Sequence, residues 1–320
     1  MATDIMNGQL FPQTVIAILW DFDKTLCPGY MQEPLFSHYG IDPDRFWNET
    51  NALAARYQAD GLHHVSYDTM YLNHLLSYVQ AGTCGDLNNA LLRHLGAGIR
   101  LHPGVPEIFE RLKAVGRQQP GWQRCGISIE HYIISNGLYE MIMGSSVAEH
   151  VDGVWACEFI ERPHGPGLCP LDGDGLPVIR QLGYVLDNTT KTRAIFEINK
   201  GSNTDTNIDV NAALSGDQRR VPMDQMIYVA DGPTDIPGFS LVRKNGGYTY
   251  AVYQDGDAKA FNQARDLNDQ QRVNAFGAAD YRPGSQTAMW LESSILAIGE
   301  RILQRHERLR SASVGRPPGF

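Results

Sequence analysis

The sequence predicts an α/β fold, namely a Rossmann-like open parallel sheet with helices on both faces and a mostly helical cap domain inserted after the first strand. Two observations lead to this prediction. Short continuous apolar runs, typical of strands buried on both faces, alternate with helical segments from residue 99 onward. The segment 31–98 shows helical spacing alone. Alternating strands and helices favour a parallel sheet covered by helices.

The first strand is Val15 to Trp20, an apolar and partly β-branched run that stops at Asp21. In the segment that follows, aromatic, Leu and Ala residues recur at helical spacing, and glycines punctuate them at positions 61, 82 and 85. We therefore predict a mostly helical insertion, a candidate second domain, at residues 31–98. The core domain is predicted to comprise residues 12–30 and 99–310.

The later elements alternate along the chain. We predict strands and helices in the following order: a helix after Gly104, strand 127–134, a helix through Tyr139, strands 154–159 and 178–185, a helix from Asn188 or Thr189, strands 226–230 and 248–253, and helix 290–309. Residues 172–175 (DGDG) predict the turn of a hairpin, and 201–220 a loose polar loop. Residues 311–320 are expected to form a disordered tail.

Composition excludes several classes of function. The chain has 320 residues and a formal net charge of −9, so its surface would repel nucleic acid. The N-terminal residues MATDIMNGQL show no secretory pattern, and no apolar run reaches the ~18 residues of a membrane span. The five cysteines are scattered and odd in number, which indicates reduced thiols in a cytoplasmic protein. A small phosphorylated metabolite remains a possible ligand, and the oligomeric state stays open.

Polar side chains follow three of the predicted strands, where ligands bind in open parallel sheets. A lysine at a predicted helix start lies between the second and third clusters. The clusters are Asp21, Asp23 and Thr25 after the first strand, Ser135, Asn136 and Gly137 after the second, and Asp231 and Asp235 after the strand 226–230; the lysine is Lys191.

This set of residues fits phosphoryl transfer. A carboxylate such as Asp21 can attack phosphorus, and a second one, Asp23, can protonate the leaving oxygen and then activate water. Asp21 and Asp231 can supply oxygen ligands to Mg²⁺. Lys191 and the Ser135 hydroxyl, with the backbone N–H groups after it, can bind the transferred phosphoryl group.

The residues Asp21 to Thr25 (DFDKT) resemble the first motif, DxDxT, of haloacid dehalogenase (HAD) superfamily phosphatases. Ser135 matches the second motif, Lys191 the third, and Asp231 with Asp235 the fourth, usually written GDGxxD. The motifs occur in the order of that family. The hairpin and Lys191 are most similar to the phosphoserine-phosphatase-like branch, and the insertion resembles a helical cap of the C1 type.

The resemblance implies a role for each matched residue. Asp21 would be the nucleophile and a Mg²⁺ ligand, Asp23 the general acid and base with its backbone carbonyl on the metal, and Asp231 a further ligand. Asp235 would support the metal or Lys191. Thr25 would help to fix the first motif, and it belongs with Ser135, Asn136 and Gly137 to the predicted substrate-binding set.

The chain departs from the family pattern at two positions. Ala230 replaces the glycine before Asp231, and Lys24 replaces the common glycine of the first motif. Glu33 is not at the usual offset of the substrate-binding glutamate of the serine-phosphate branch, so serine specificity is not carried over. Four residues near the first motif are expected to line the site: Met31, Glu33, Phe36 and Tyr39.

The expected function is hydrolysis of a small soluble phosphomonoester through an aspartyl-phosphate, with Mg²⁺ as cofactor. Two alternatives stay open. One is phosphotransfer or another HAD-type reaction at the same site. The other is a catalytically silent binding or regulatory protein, although such a protein would be expected to lack Asp21 or Asp23, and both are present.

Overall fold

The computed structural model describes residues 12–171 and 175–314. Its sheet has seven strands in the spatial order β4-β3-β2-β1-β5-β6-β7, and every neighbouring pair is parallel except the antiparallel pair β3–β4. The strands are β1 Val15–Trp20, β2 Ser128–Leu138, β3 Gly153–Ile160, β4 Gln181–Tyr184, β5 Met226–Ala230, β6 Tyr248–Tyr253 and β7 Ala275–Ala278. The predicted α/β class and mostly parallel sheet are confirmed.

Eleven α-helices accompany the sheet within the described residues. They are α1 Glu33–Tyr39, α2 Pro43–Ala59, α3 Tyr67–Gln80, α4 Asn89–Gly96, α5 Glu107–Arg117, α6 Pro120–Cys125, α7 Tyr139–Gly144, α8 Thr190–Lys200, α9 Ile236–Lys244, α10 Ala258–Asp269 and α11 Gln286–Val314. None of them is both long enough and apolar enough to cross a bilayer.

Strand β1 lies at the centre of the sheet, and its residues 16–20 have no solvent exposure. Its last residue, Trp20, is in register with Ile133 of β2 and Val229 of β5. Because all three strands are parallel and aligned, the residues that follow them emerge at the same edge of the sheet. This alignment is what positions the candidate site.

The helical insertion, defined here as residues 31–98, contains α1 to α4 and packs around an aromatic core. Phe36 lies 4.7 Å from Phe46, ring centroid to centroid, and Trp47 contacts both rings edge-on. The insertion approaches the rest of the chain through α4 and α7. A side chain at either Gly96 or Gly144 would collide with the backbone of the facing helix, so glycine is required for this approach.

Some element boundaries differ from the sequence-based expectation. Strand β7 was not predicted, because the short run 275–278 contains a glycine and two alanines. Helix α11 begins at Gln286 and continues to Val314, so residues 311–314 of the expected disordered tail are helical. Residues 172–174 of the predicted turn, and 315–320, lie outside the described residues.

Candidate active site

A cleft of about 220 Å³ opens at the edge of the sheet where β1, β2 and β5 end. Asp21 follows β1 directly, and its N–H donates to the Val229 carbonyl at 2.9 Å, so the chain continues the strand pairing into the cleft. The walls bring together most of the residues expected from sequence. They are Asp21, Asp23, Lys24, Tyr30, Asp68, Ser135, Asn136, Lys191, Asp231, Gly232, Pro233, Thr234 and Gln263.

Lys191 is buried in the first turn of α8, and its ammonium bridges two carboxylates. It donates to Asp21 Oδ1 at 2.9 Å and to Asp235 Oδ1 at 2.7 Å, and all three side chains are at most 7% exposed. The N-cap of this helix is Thr189, one of the two expected positions, but its side chain makes no capping hydrogen bond. The Asp187 carboxylate accepts the N–H groups of Thr189 and Thr190 at 2.8 and 2.7 Å.

Burial and neighbouring charge shift the acidity of these groups. Burial raises the pKa of Asp21 to about 6, although Lys191 opposes this shift. Burial also raises the pKa of Asp231, and Asp21 and Asp235 add to the effect by like-charge repulsion. Burial alone would lower the pKa of Lys191, but the Asp21 and Asp235 carboxylates outweigh it and raise that pKa. The ammonium therefore stays charged at neutral pH.

Asp23 is held separately from the carboxylate cluster. Its Oδ1 accepts the Met31 N–H at 2.7 Å, which links the first motif to the start of the helical insertion. Burial, together with the nearby Asp21, raises the pKa of Asp23 to about 7. A carboxyl group with that pKa can both donate and accept a proton near neutral pH, which is what a general acid and base requires.

Three carboxylates offer a fitting donor set for a divalent cation. One oxygen each from Asp21, Asp231 and Asp235 lies within 4.8 Å of the others. Hard oxygen donors suit Mg²⁺, and three carboxylates around the single buried ammonium of Lys191 leave an excess of negative charge. Asp235 fits a supporting role, because its Oδ1 also accepts from Tyr228 at 2.7 Å and its Oδ2 from Thr234 at 3.1 Å.

The predicted phosphate-binding residues lie where β2 becomes irregular. Pairing of β2 with β3 shifts register between Ile134 and Leu138. In this stretch the Ser135 hydroxyl accepts the Gly137 N–H at 3.1 Å, while the Asn136 amide donates to the Leu186 carbonyl at 3.1 Å. The side chains of Ser135 and Asn136 line the cleft, whereas Gly137 is not among its wall residues.

Thr25 is also placed behind the cleft instead of lining it. Its side chain is fully buried, and its hydroxyl lies 3.5 Å from Asp21 Oδ2. Its carbonyl accepts the Tyr281 hydroxyl at 2.7 Å. Thr25 therefore supports the loop that carries Asp21, and its position does not provide contact with a substrate.

The residues expected to line the site from the start of the insertion do not do so. Met31 and Phe36 are buried in the apolar core, Tyr39 donates to Asp86 at 2.8 Å, and Glu33 faces Arg100. Phe36 lies on the buried face of α1, and Met31 precedes that helix. The walls instead include residues that sequence reasoning missed, namely Tyr30, Asp68 and Gln263. Only Tyr30, which follows the first motif closely, offered a sequence signal.

Comparison with known proteins identifies a sequence family. No protein-family model matches the chain. An uncharacterized protein of Borreliella burgdorferi is 34% identical over 289 residues, which cover 88% of this chain and 97% of that protein. The chain belongs to the same family as that protein.

The chain also resembles solved structures with which it shares little sequence. A probable phosphoserine phosphatase from Vibrio cholerae in unliganded form has a TM-score of 0.48 and 14% identity, covering 92% of this chain and 69% of that chain. A phospho-aspartyl intermediate analogue of phosphoserine phosphatase has a TM-score of 0.46 and 14% identity, covering 82% and 93%. A HAD-family hydrolase from Salmonella enterica serovar Typhi has a TM-score of 0.46 and 13% identity, covering 83% and 67%.

Proposed function

We propose that this chain, a member of the family of the Borreliella burgdorferi protein, is a magnesium-dependent HAD-type phosphatase that hydrolyses a small soluble phosphomonoester through an aspartyl-phosphate. The observation that carries the proposal is the buried contact between Lys191 and Asp21 at 2.9 Å. The Asp231 carboxylate on the next strand end and the separately held Asp23 support it.

In the first step, a carboxylate oxygen of Asp21 attacks the phosphorus atom and forms an acyl phosphate, while the bond between phosphorus and the leaving oxygen breaks. Asp23 gives its proton to that oxygen, so an alcohol leaves instead of an alkoxide. The pKa of about 7 at Asp23 supports this role, because a substantial part of the carboxyl groups is protonated at neutral pH.

In the second step, Asp23, now ionised, takes a proton from a water molecule that attacks the phosphorus atom. The bond between Asp21 and phosphorus breaks, and inorganic phosphate is released. Lys191 would stabilise the negative charge on the phosphoryl oxygens in both steps, helped by the Ser135 hydroxyl. Asp235 would act through Lys191, whose ammonium it holds at 2.7 Å.

The metal would be held by the carboxylates of Asp21 and Asp231 and by the backbone carbonyl of Asp23. Bound there, Mg²⁺ would supply positive charge that lets an anionic nucleophile meet an anionic phosphate. The proposal also includes a cytoplasmic location, which the scattered and odd set of five cysteines supports.

The two alternatives predict different chemistry from the same cleft. Dehalogenation or cleavage of a carbon–phosphorus bond would make little use of the acid at Asp23, whereas an alkoxide leaving group needs it. A silent binding protein would not need a carboxylate at both Asp21 and Asp23. Transfer of the phosphoryl group to an alcohol instead of water uses the same residues, so it is separated from hydrolysis only by the product formed.

The test is phosphate release from p-nitrophenyl phosphate by purified protein, with Mg²⁺ and with EDTA, beside Asp21→Asn. We expect Mg²⁺-dependent release that disappears in the variant, with circular dichroism showing that the variant is folded. A broad panel of phosphomonoesters is tested as well, because the helical insertion could exclude p-nitrophenyl phosphate from the cleft. No release from any of them by folded, Mg²⁺-loaded protein would refute the hydrolase proposal.

A further inference from the structure

A second cavity adjoins the candidate active-site cleft. This cavity, called the outer pocket below, has a volume of about 230 Å³ and lies beyond the carboxyl end of β6. Three residues line both spaces, namely Lys24, Asp231 and Gln263. The cleft itself measures about 220 Å³ and must already hold the phosphoryl group. A leaving group of more than a few atoms would therefore extend from the cleft into the outer pocket.

Two lysines and two carboxylates line the outer pocket, namely Lys24, Lys259, Asp231 and Asp257. Its two carboxylates are already engaged: Asp231 belongs to the cluster in the cleft, and Asp257 caps α10 by accepting the N–H groups of Lys259 and Ala260 at 2.8 and 3.0 Å. Within the described residues, the Lys259 ammonium has no hydrogen-bond or ion-pair partner. Gln254, whose side-chain amide can donate a hydrogen bond, lines the same pocket.

Lys24 stands on the wall between the two spaces. Its ammonium donates to the Tyr30 hydroxyl at 2.9 Å and lies 4.3 Å from the centre of that ring. The nearby Asp231 and Asp23 carboxylates also attract its charge, although no ion pair joins them among the described residues. Its φ angle is 58°, a backbone conformation that glycine adopts with less strain. Backbone conformations of this kind concentrate at functional sites.

We propose that the outer pocket binds an anionic group, either a carboxylate or a second phosphate, carried by the leaving group of the substrate. Lys24 and Lys259 supply the opposing charge, and Gln254 donates a hydrogen bond. This inference rests on the proposed function, because the phosphoryl group is assigned to the adjoining cleft. It narrows the substrate to phosphomonoesters of acidic alcohols or to bisphosphates.

The test uses three phosphonates, which bind without being hydrolysed: ethylphosphonate, 3-phosphonopropionate and ethane-1,2-diphosphonate. Their affinities for the Mg²⁺-loaded protein are measured by isothermal titration calorimetry. We expect at least one of the two ligands with a second anionic group to bind about tenfold or more tightly than ethylphosphonate, a difference typical of one well-formed charge pair. Whichever of these two ligands binds more tightly shows whether the outer pocket prefers a carboxylate or a phosphate.

Lys24→Met and Lys259→Met are expected to abolish this preference, whereas Lys244→Met, which removes one exposed positive charge at the end of α9, should retain it. Equal affinities for the three ligands, a preference that survives both substitutions, or no binding of any phosphonate would overturn the proposal. The binding measurement needs no turnover, so it is independent of catalysis. If the protein hydrolysed no phosphomonoester but still showed the lysine-dependent preference, the anion-binding proposal would stand and the phosphatase proposal would be refuted.

Discussion

The ammonium of Lys191 donates to the carboxylate of Asp21 at 2.9 Å, although the two residues are 170 positions apart in the chain. Both side chains are buried, so their charges interact with little screening by water. The same ammonium reaches Asp235 at 2.7 Å and is thus the shared counter-ion of two carboxylates. Removing any one of the three changes the charge balance of the whole site.

Lys191→Met should lower the rate of phosphate release by a factor of at least about a thousand, because a positioned cation is lost from a buried site. It should also lower the free energy of unfolding by about 3–5 kcal/mol, since two buried carboxylates lose their partner. Phosphate release and urea unfolding measure the two effects. Lys244→Met is the control for loss of one lysine. Activity within tenfold of the parent would contradict the assigned role.

Asp231→Asn should stabilise the metal-free protein and should abolish the increase in melting temperature that Mg²⁺ causes. Asp231 is repelled by Asp21 and Asp235, and an amide relieves this repulsion. In EDTA the melting temperature should rise by roughly 2 °C, which corresponds to about 1 kcal/mol. The increase that Mg²⁺ causes in the parent protein should disappear. Differential scanning fluorimetry measures both.

Asp255→Asn, at an exposed position after β6, is the matched control for loss of one carboxylate. It should keep the Mg²⁺-dependent increase in melting temperature. If Asp231→Asn lowered the melting temperature in EDTA, or kept the full response to Mg²⁺, Asp231 would not be a metal ligand in a repulsive cluster.

Tyr71 connects the helical insertion to the predicted phosphate-binding stretch of β2. Its hydroxyl donates to the Asn136 carbonyl at 2.5 Å, and the Cys157 thiol lies 3.3 Å from the same oxygen. Tyr71→Phe should loosen residues 135–137 and raise KM about three- to tenfold, with a smaller effect on kcat, because one hydrogen bond to this stretch is lost. Hydrogen exchange of the peptide 133–140 should become faster.

Tyr78→Phe is the matched control for Tyr71→Phe. Tyr78 lies on the same helix, but its hydroxyl donates to Glu49 inside the insertion at 2.8 Å. Its removal should affect the stability of the insertion and leave both KM and exchange of the peptide 133–140 unchanged. Equal effects of the two variants would show that Tyr71 acts only through the stability of the insertion.

His131 should make the protein sensitive to acid. The ring is fully buried on β2, accepts the Trp20 indole N–H at 3.2 Å and donates to the Phe109 carbonyl at 3.1 Å, and burial lowers its pKa to about 3. In the unfolded chain this histidine is protonated below about pH 6.5, whereas in the folded protein it stays neutral down to about pH 3. The neutral ring therefore contributes fully to the free energy of unfolding above pH 6.5, and that contribution is lost as the pH falls towards 3.

Between pH 7 and pH 5 the contribution of His131 should amount to about 2 kcal/mol of lost stability. Urea unfolding at the two pH values measures it. His131→Gln should be less stable than the parent at pH 7 but should lose about 2 kcal/mol less on acidification, and His63→Gln is the control for removing one histidine. An unchanged pH dependence in His131→Gln would contradict this assignment.

The chemistry-bearing residues could be found from sequence because each follows an element with a strong local pattern. Asp21 follows a continuous apolar run, and such a run predicts a buried strand whichever helices surround it. Lys191 precedes the apolar positions of a helix, and the turn-forming residues before it were enough to predict that the helix begins there. The helical nature of the insertion was also evident from spacing, whereas strand β7 was missed because its small residues carry no β-strand pattern.

The walls of the cleft could not be predicted in the same way. Asp68 reaches it from a helix far along the insertion, and Gln263 from α10, where it donates to the Asp231 carbonyl at 3.2 Å. Met31 and Phe36 were expected there but point into the core. Which face of each helix meets the sheet depends on packing against the other elements, and periodicity within one helix does not contain that information.

Local apolar patterns and turn chemistry were enough to predict the α/β class, six of the seven strands of the described sheet, and the set of acidic, basic and hydroxyl residues at the strand ends. Three relationships required the folded structure: Lys191 bridges Asp21 and Asp235, Thr25 lies behind the cleft, and Lys24 lines both the cleft and the outer pocket. Those relationships arise from contacts between distant parts of the chain, which are selected by the joint packing of the sheet and its helices.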